Sequence, residues 1–383
     1  MRKVFYLVLS LVIASCTSNN ELQEKLAFID VTEEYPEKKI ELTDIAGVSY
    51  LHLNSKTDDY LYKGSIDYVT ENNIIVIDRS QNSVLFFSKE GNPKSHFNRR
   101  GQGPEEYSDA ASLMYDEAND EVFVSPDFSY SSLGEFKRKI NLPQVNVNGQ
   151  MALFDDVSIL VYDNTKLWQS TMQSNAPEVE QTIDSVFFLI SKLDGTVLDY
   201  ISLPNENIDL SYKNSVFTSQ VNYGRVRKSA DGLLLYNPES DTVFHYSKEK
   251  HLTPYMHKKP ILSSQNPMTV MDICMDAGKY QFIAVYPYRE TGKSPTPKYY
   301  MRNKATGELF RQKITLSDFE GKELYINPRL FNYYEHAYHF ELDFAELEEA
   351  YYKNKLSGKL KELVASLLEN EESNNVFVFA DFN

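Results

Sequence analysis

The sequence predicts an all-β chain folded as a six-bladed β-propeller, with a C-terminal helix and a closing strand. Three observations carry this expectation. Short apolar strands separated by polar turns recur along the chain. The 27 tyrosines and 22 phenylalanines, against one tryptophan, suit a pleated, half-buried surface. Strand-like segments stand near both ends, VSYLHL early and NNVFVFADF late, and together they offer a blade closed by both chain ends.

The clearest unit runs from Asn73 to Phe97: NIIVID, a turn RSQN, SVLFFS, a turn KEGN, then PKSHF. Asp231 to Met256 repeats it as GLLLYN, TVFHYS and LTPYM. Ser185 to Leu203 contributes VFFLIS and TVLDYISL, and Tyr280 to Leu316 contributes QFIAVYPY, KYYMRN and ELFRQKITL. A weaker copy spans Glu121 to Leu142, read as EVFVSP, SLGEF and KRKINL. The units recur at roughly 35–75 residues, longer than a minimal blade, so insertions are needed. The stretch from Asp163 to Asp184, which holds Trp168, is the obvious one. Each meander has an apolar face that only a neighbour can bury. Another all-β arrangement, such as a pair of sandwiches, is the alternative.

Phe344 to Glu369 has helical period, with Leu347, Tyr351, Leu356, Leu360, Leu363 and Leu367 at steps of three to five. Gly358 weakens its middle and is the point where it would split. The helix is expected on the propeller rim, with the last strand completing a blade.

The first residues form an export signal. Arg2 and Lys3 give a positive start, Val4 to Ile13 is apolar, and Ala14 and Ser15 are small before Cys16. The apolar run is too short to span a hydrocarbon core, which takes about 20 helical residues. Ile13-Ala14-Ser15-Cys16 fits a lipobox, so residues 1–15 are expected to be cut away and Cys16 to carry a diacylglycerol. Residues 16–38 then form a polar tether and residues 39–383 the propeller. Thr17, in place of an Asp that would retain the protein at the inner membrane, favours the outer membrane; the leaflet is open.

Formal charge is −16, and losing Arg2 and Lys3 with the leader takes it to −18. That disfavours nucleic acid, whose phosphates require clustered cations. Cys16 and Cys274 are the two cysteines. With Cys16 lipidated, neither a disulfide framework nor a cysteine metal site is available. Cys274, within VMDICMD, is expected to be a packing residue.

Residues 98–107 read NRRGQGPEEY, after a strand and a glycine turn. This resembles the G-x-G-P-x-E-[FY] segment of NHL-type repeats. With the lipobox, the preceding blade and the closing helix and strand, the chain resembles the NHL/TolB-like six-bladed propeller lipoproteins of Bacteroidota. The resemblance implies a fold and a compartment, and no activity. Read physically, Gly101 and Gly103 allow positive φ and close backbone approach, and Pro104 fixes the exit. Glu106 and Tyr107 then lead into the next blade. A phosphate loop would need a Lys-Ser/Thr and a following helix, and has neither.

Arg99 and Arg100 stand where propellers carry ligand contacts, although a solvated pair is the simpler reading. Trp168 could stack on a sugar ring or anchor its own loop. His336 and His339 are the closest histidine pair, but no HExxH surrounds them, and aromatic packing is the default. Asp116-Glu117, Asp120-Glu121 and Asp155-Asp156 fit turn positions. No G-x-S-x-G elbow is present. The expected function is a lipid-anchored binding module for a glycan or an envelope protein, with no cofactor beyond the covalent lipid. The alternative is a calcium-type propeller hydrolase such as a lactonase, with Glu, Asn and Asp converging at the channel.

Overall fold

A computed structural model describes residues 26–55, 58–125, 127–143, 151–163, 185–204, 226–237, 240–260, 269–287, 297–327, 337–369 and 374–382. Cys16, Trp168 and His336 lie outside these residues.

The strands assemble into six sheets, one per blade. Blade 1 is Ile66–Val69, Asn73–Asp78, Ser83–Ser88 and Pro93–Phe97. Blade 2 is Leu113–Asp116, Glu121–Val124, Phe128–Tyr130 and Phe136–Lys139. Blade 3 is Met151–Leu153, Ser158–Tyr162, Phe187–Ser191 and Val197–Ile201. Blade 4 is Val226–Ser229, Gly232–Tyr236, Thr242–Ser247 and Leu252–Lys259. Blade 5 is Thr269–Ala277, Tyr280–Pro287, Lys298–Asn303 and Leu309–Thr315. Each strand pairs antiparallel with the next in sequence, and first strands of different blades approach one another at the axis.

Blade 6 joins the chain ends. Val376–Asp381 lies between Ala337–Leu342 and Gly47–His52, pairing antiparallel with both. The strand expected from VSYLHL therefore closes the ring as anticipated. The body also begins earlier than the expected boundary at residue 39. Ala27–Asp30 adds in parallel to the outer strand of blade 4, and Glu37–Glu41 adds in parallel to that of blade 5. The segment read as tether is thus partly a belt, covering two outer edges that would otherwise offer unpaired N–H and C=O groups.

Second and third strands are buried on both faces, which is why NIIVID and SVLFFS read as continuous apolar runs. Outer strands alternate, as in Pro93–Phe97 and Phe136–Lys139. The cores lie between blades; Phe86 of blade 1 meets Tyr115 of blade 2 edge to face at 5.3 Å. In blade 2 the expected middle strand SLGEF is a turn around Gly134, whose φ is +80°, and Phe128–Tyr130 is the strand instead.

Two faces result. One, the connection face, carries the blade-to-blade connections and the turns between second and third strands. The other, the hairpin face, carries turns between first and second and between third and fourth strands. The helical stretch splits into Phe344–Tyr352 and Gly358–Leu367, inserted between Ala337–Leu342 and Val376–Asp381 of blade 6. Asp343 caps the first helix by accepting from the Glu346 N–H at 3.0 Å, and Gly358, at φ +52°, marks the split. Leu347, Leu360 and Val364 enter the core shared by blades 5 and 6.

The seam between blades 6 and 1 is sealed by Asn374, which is buried. Its Nδ2 donates to the carbonyls of Leu53 and Tyr60 at 2.8 and 3.0 Å, and its Oδ1 accepts from the Tyr62 N–H at 3.4 Å. Asn374→Ala leaves these groups unpaired in the seam. We expect a loss of about 2 kcal/mol, read as a lower urea midpoint at unchanged slope.

Candidate functional site

The NRRGQGPEEY loop bridges blades 1 and 2 on the connection face. Its closure is a small ring of main-chain bonds: Gly101 N–H to Tyr107 O at 3.0 Å, Tyr107 N–H to Arg99 O at 3.1 Å, and Glu106 N–H to Gly103 O at 3.2 Å. The Glu106 carboxylate folds back over the glycines and accepts from the Gly103 N–H at 2.8 Å. A Cβ on Gly101 would stand 1.8 Å from that carboxylate. Neither Gly101 nor Gly103 has positive φ. Of the two uses expected for them, close approach is the one realised.

Tyr107 is fully buried and anchors the loop. Its hydroxyl donates to the Asn82 carbonyl at 2.7 Å and accepts from the Arg99 N–H at 3.1 Å. Burial holds this phenol above its ordinary pKa. Its ring meets Tyr130 edge to face at 5.8 Å, and the Tyr130 hydroxyl donates to the Glu105 carbonyl at 2.8 Å. The loop is therefore tied to both blades.

Arg99 serves this architecture. Its Nε donates to the Gly134 carbonyl of blade 2 at 2.7 Å, making it an inter-blade strut. Arg100 remains exposed and donates from Nε to the Ser108 carbonyl at 3.3 Å. Neither arginine lines the open cleft of about 330 Å³ beside the loop. Gln102, Glu106 and Ser108 form one wall; Ser125, Asp127 and Lys139 of blade 2 form the other. Ser125 is held at φ +51°, with its N–H bonded to the Ser112 carbonyl at 3.0 Å. Burial raises the Asp127 carboxyl above its usual range, and the Lys139 ammonium lies 3.7 Å away and 4.7 Å over the Phe128 ring. The loop wall was legible in the motif, but the opposite wall was not. Its only trace is Ser125-Pro126-Asp127 followed by the cationic strand ending at Lys139.

First strands of different blades meet at the axis. Lys228 of blade 4 reaches across to Tyr68 of blade 1, with Nζ 5.1 Å from the ring centroid. Arg227, 2% exposed, donates from Nε to the Ile273 carbonyl of blade 5 at 2.8 Å and faces Asp272 at 3.7 Å. Cys274 is fully buried, and burial pushes its thiol up, as a packing role requires. Among the described residues, no three His, Cys, Asp or Glu side chains converge as a metal cage would need.

Two buried groups near the blade 6–blade 1 seam titrate abnormally. His339 packs among the rings of Phe377 and Phe379 and is held down to about 4 by burial. Asp67 is raised to about 6 by burial, despite Arg79 at 2.5 Å and the Ile77 N–H at 2.7 Å.

The comparisons with known proteins bear on the fold. A family model described as a 6-bladed beta-propeller matches residues 17–198. A protein of Bacteroides fragilis described as exported has a similar solved structure, at 15% identity and a TM-score of 0.61, covering 93% of this chain and 99% of that one. Virginiamycin B lyase from Staphylococcus aureus is similar at 12% identity and a TM-score of 0.37, over 75% of this chain and 77% of the lyase. No curated protein sequence matches.

Two predictions follow from these buried groups. Tyr107→Phe removes a donor to Asn82 and an acceptor for Arg99, and should cost about 1–3 kcal/mol in chemical denaturation. For His339, the unfolded chain takes up a proton before the folded one, so stability falls as pH drops from about 6.5 to 4, by up to ~3 kcal/mol. Asp67 acts with the opposite sign, since the folded state holds its proton longer; its destabilisation grows as pH rises from about 4 to 6. Urea midpoints between about pH 6.5 and 4.5 should therefore show a shallower acid loss in His339→Leu and a steeper one in Asp67→Asn. The family model and the six four-stranded or closing sheets agree on one fold, the six-bladed β-propeller.

Proposed function

We propose that this chain is an exported, lipid-anchored binding module of the cell envelope whose connection-face cleft takes a hydroxyl-rich ligand, a glycan. The observation that carries the reading is the cleft's composition. Acceptors on Glu106 and Asp127, a hydroxyl on Ser125, an amide on Gln102 and an ammonium on Lys139 face one small volume from two rigid walls. Sugar hydroxyls donate and accept at once, and a mixed set of this kind answers both roles. Because Tyr107 and Tyr130 already hold the walls, little ordering cost remains for the ligand to meet. Export is supported by the leader and by the Bacteroides fragilis relative described as exported.

The test is a thermal-shift and calorimetry panel on residues 17–383 with envelope and dietary glycans. A glycan-specific stabilisation is expected. Asp127→Asn and Gln102→Ala should each weaken binding by about 1–3 kcal/mol without lowering the melting temperature of the free protein. Unchanged affinity in both variants would remove the cleft from the site. A shift with calcium that EDTA reverses, and none with any glycan, would replace this reading with a metal-dependent activity.

A further inference from the structure

We infer that the cleft between blades 2 and 3 is a second binding site, for a short apolar peptide whose free ammonium end is read by Asp156 and whose free carboxylate end is read by Lys137 and Arg138.

Blade 2 supplies one wall through Asn119, Lys137 and Arg138. Blade 3 supplies the other through Asp156, Val157 and Leu193, and the open volume between them is about 530 Å³. The charges around this cleft balance, but they are not equally spent. Lys192, whose side chain is 8% exposed, crosses from blade 3 and gives an N–H to Asp116 of blade 2 at 2.7 Å. Arg138 crosses the other way, giving Nε to the Lys192 carbonyl at 3.1 Å and one terminal nitrogen to Glu121. These two pairs cancel in the floor and tie the blades together. The Lys192 N–H donates to the Val157 carbonyl at 2.9 Å, which fixes the two blade 3 turns to each other. The walls are therefore set before any ligand arrives.

Two exposed charges of opposite sign remain, Lys137 on one wall and Asp156 on the other. Among the described residues Lys137 bonds only the Asn119 carbonyl, at 2.9 Å, and Asp156 has no hydrogen-bond or ion-pair partner. The second terminal nitrogen of Arg138 is likewise uncommitted there. Donors thus stand on blade 2 and a bare carboxylate on blade 3, and the two do not pair with each other. An anion or a cation alone would meet one wall and be opposed by the other. A ligand that carries one charge of each sign, held apart, answers both.

The chemistry between those ends is peptide-like. Val157 and Leu193 are 64% and 68% exposed and offer apolar surface to side chains. Asn119 gives its amide N–H to Asp116 at 3.0 Å and keeps its side-chain carbonyl for a donor such as a peptide N–H. The volume lies within the range of small-ligand sites, about 300–1,000 Å³. It is roughly 8 Å across, the length of about two extended residues.

The experiment is calorimetric titration of residues 17–383, which hold every described element, with leucyl-leucine. Saturable binding is expected. N-acetyl-leucyl-leucine and leucyl-leucine amide should each bind roughly three- to fivefold more weakly, as the loss of one exposed charge pair implies, and free leucine more weakly still. Asp156→Asn should weaken the free dipeptide and abolish its advantage over the acetylated one. Lys137→Ala should weaken it and narrow its advantage over the amide, while Leu193→Ser weakens all three peptides alike. Both charged side chains are exposed, so the melting temperature should not move in either variant. No saturable heat at millimolar dipeptide, or indifference to capping or to the charge substitutions, overturns the proposal. Free leucine binding as tightly as the dipeptide overturns it too. So does a loss of binding in Gln102→Ala with none in Asp156→Asn, which would put the peptide in the connection-face cleft.

Discussion

Each blade of this protein presents apolar side chains on both sides of its sheet, so no blade is finished until it has two neighbours. That requirement makes ring closure the condition for everything else. Closure falls to blade 6, whose middle strand Val376–Asp381 pairs on one side with a strand 39 residues earlier and on the other with Gly47–His52. The seam it forms with blade 1 holds buried polar groups of its own: Asn374 sealing three backbone groups, and His339 held neutral. A hydrophobic ring alone would tolerate sliding; the backbone ladder between Val376–Asp381 and Gly47–His52, with the directional bonds of Asn374 beside it, fixes the register.

How much of this was legible depended on burial geometry. Strands buried on both faces wrote themselves as unbroken apolar runs, and NIIVID, SVLFFS and VFVFAD fall where expected. First strands escaped notice for a physical reason. They are short, as in Met151–Leu153, or carry charge that the fold buries, as in Val226–Ser229, where Arg227 is spent on a carbonyl of the next blade. The third strand of blade 2 is Phe128–Tyr130 and not SLGEF, because the chain turns at Gly134 with φ +80°. The belt was missed because parallel pairing with a strand more than two hundred residues away leaves no local trace.

The site shows the same division. Gly101, Gly103, Glu106 and Tyr107 formed a pattern because one loop must satisfy itself locally. The glycines are explained by a carboxylate folded onto them, and Arg99 by a carbonyl of the next blade. Residues 125–139 join that loop only through the packing of two blades, which is information the chain order does not hold. Fold carries no function of its own; what marks this propeller is the chemistry set beside the NRRGQGPEEY loop, a mixed polar cleft between blades 1 and 2.

The belt has a mechanical side. A pull applied at residue 26 would meet a strand that runs along the outer strand of blade 4 in register from Ala27↔Met256 to Asp30↔Lys259. Tension applied there acts along the strand axis, across bonds that lie between the strands, so the ladder is loaded in shear and its bonds resist together instead of opening one by one. Behind it, Glu37–Glu41 repeats the arrangement on blade 5 before the chain reaches the closing blade. A force entering there is thereby spent on two outer ladders in series, and the ring's own closure stands behind both.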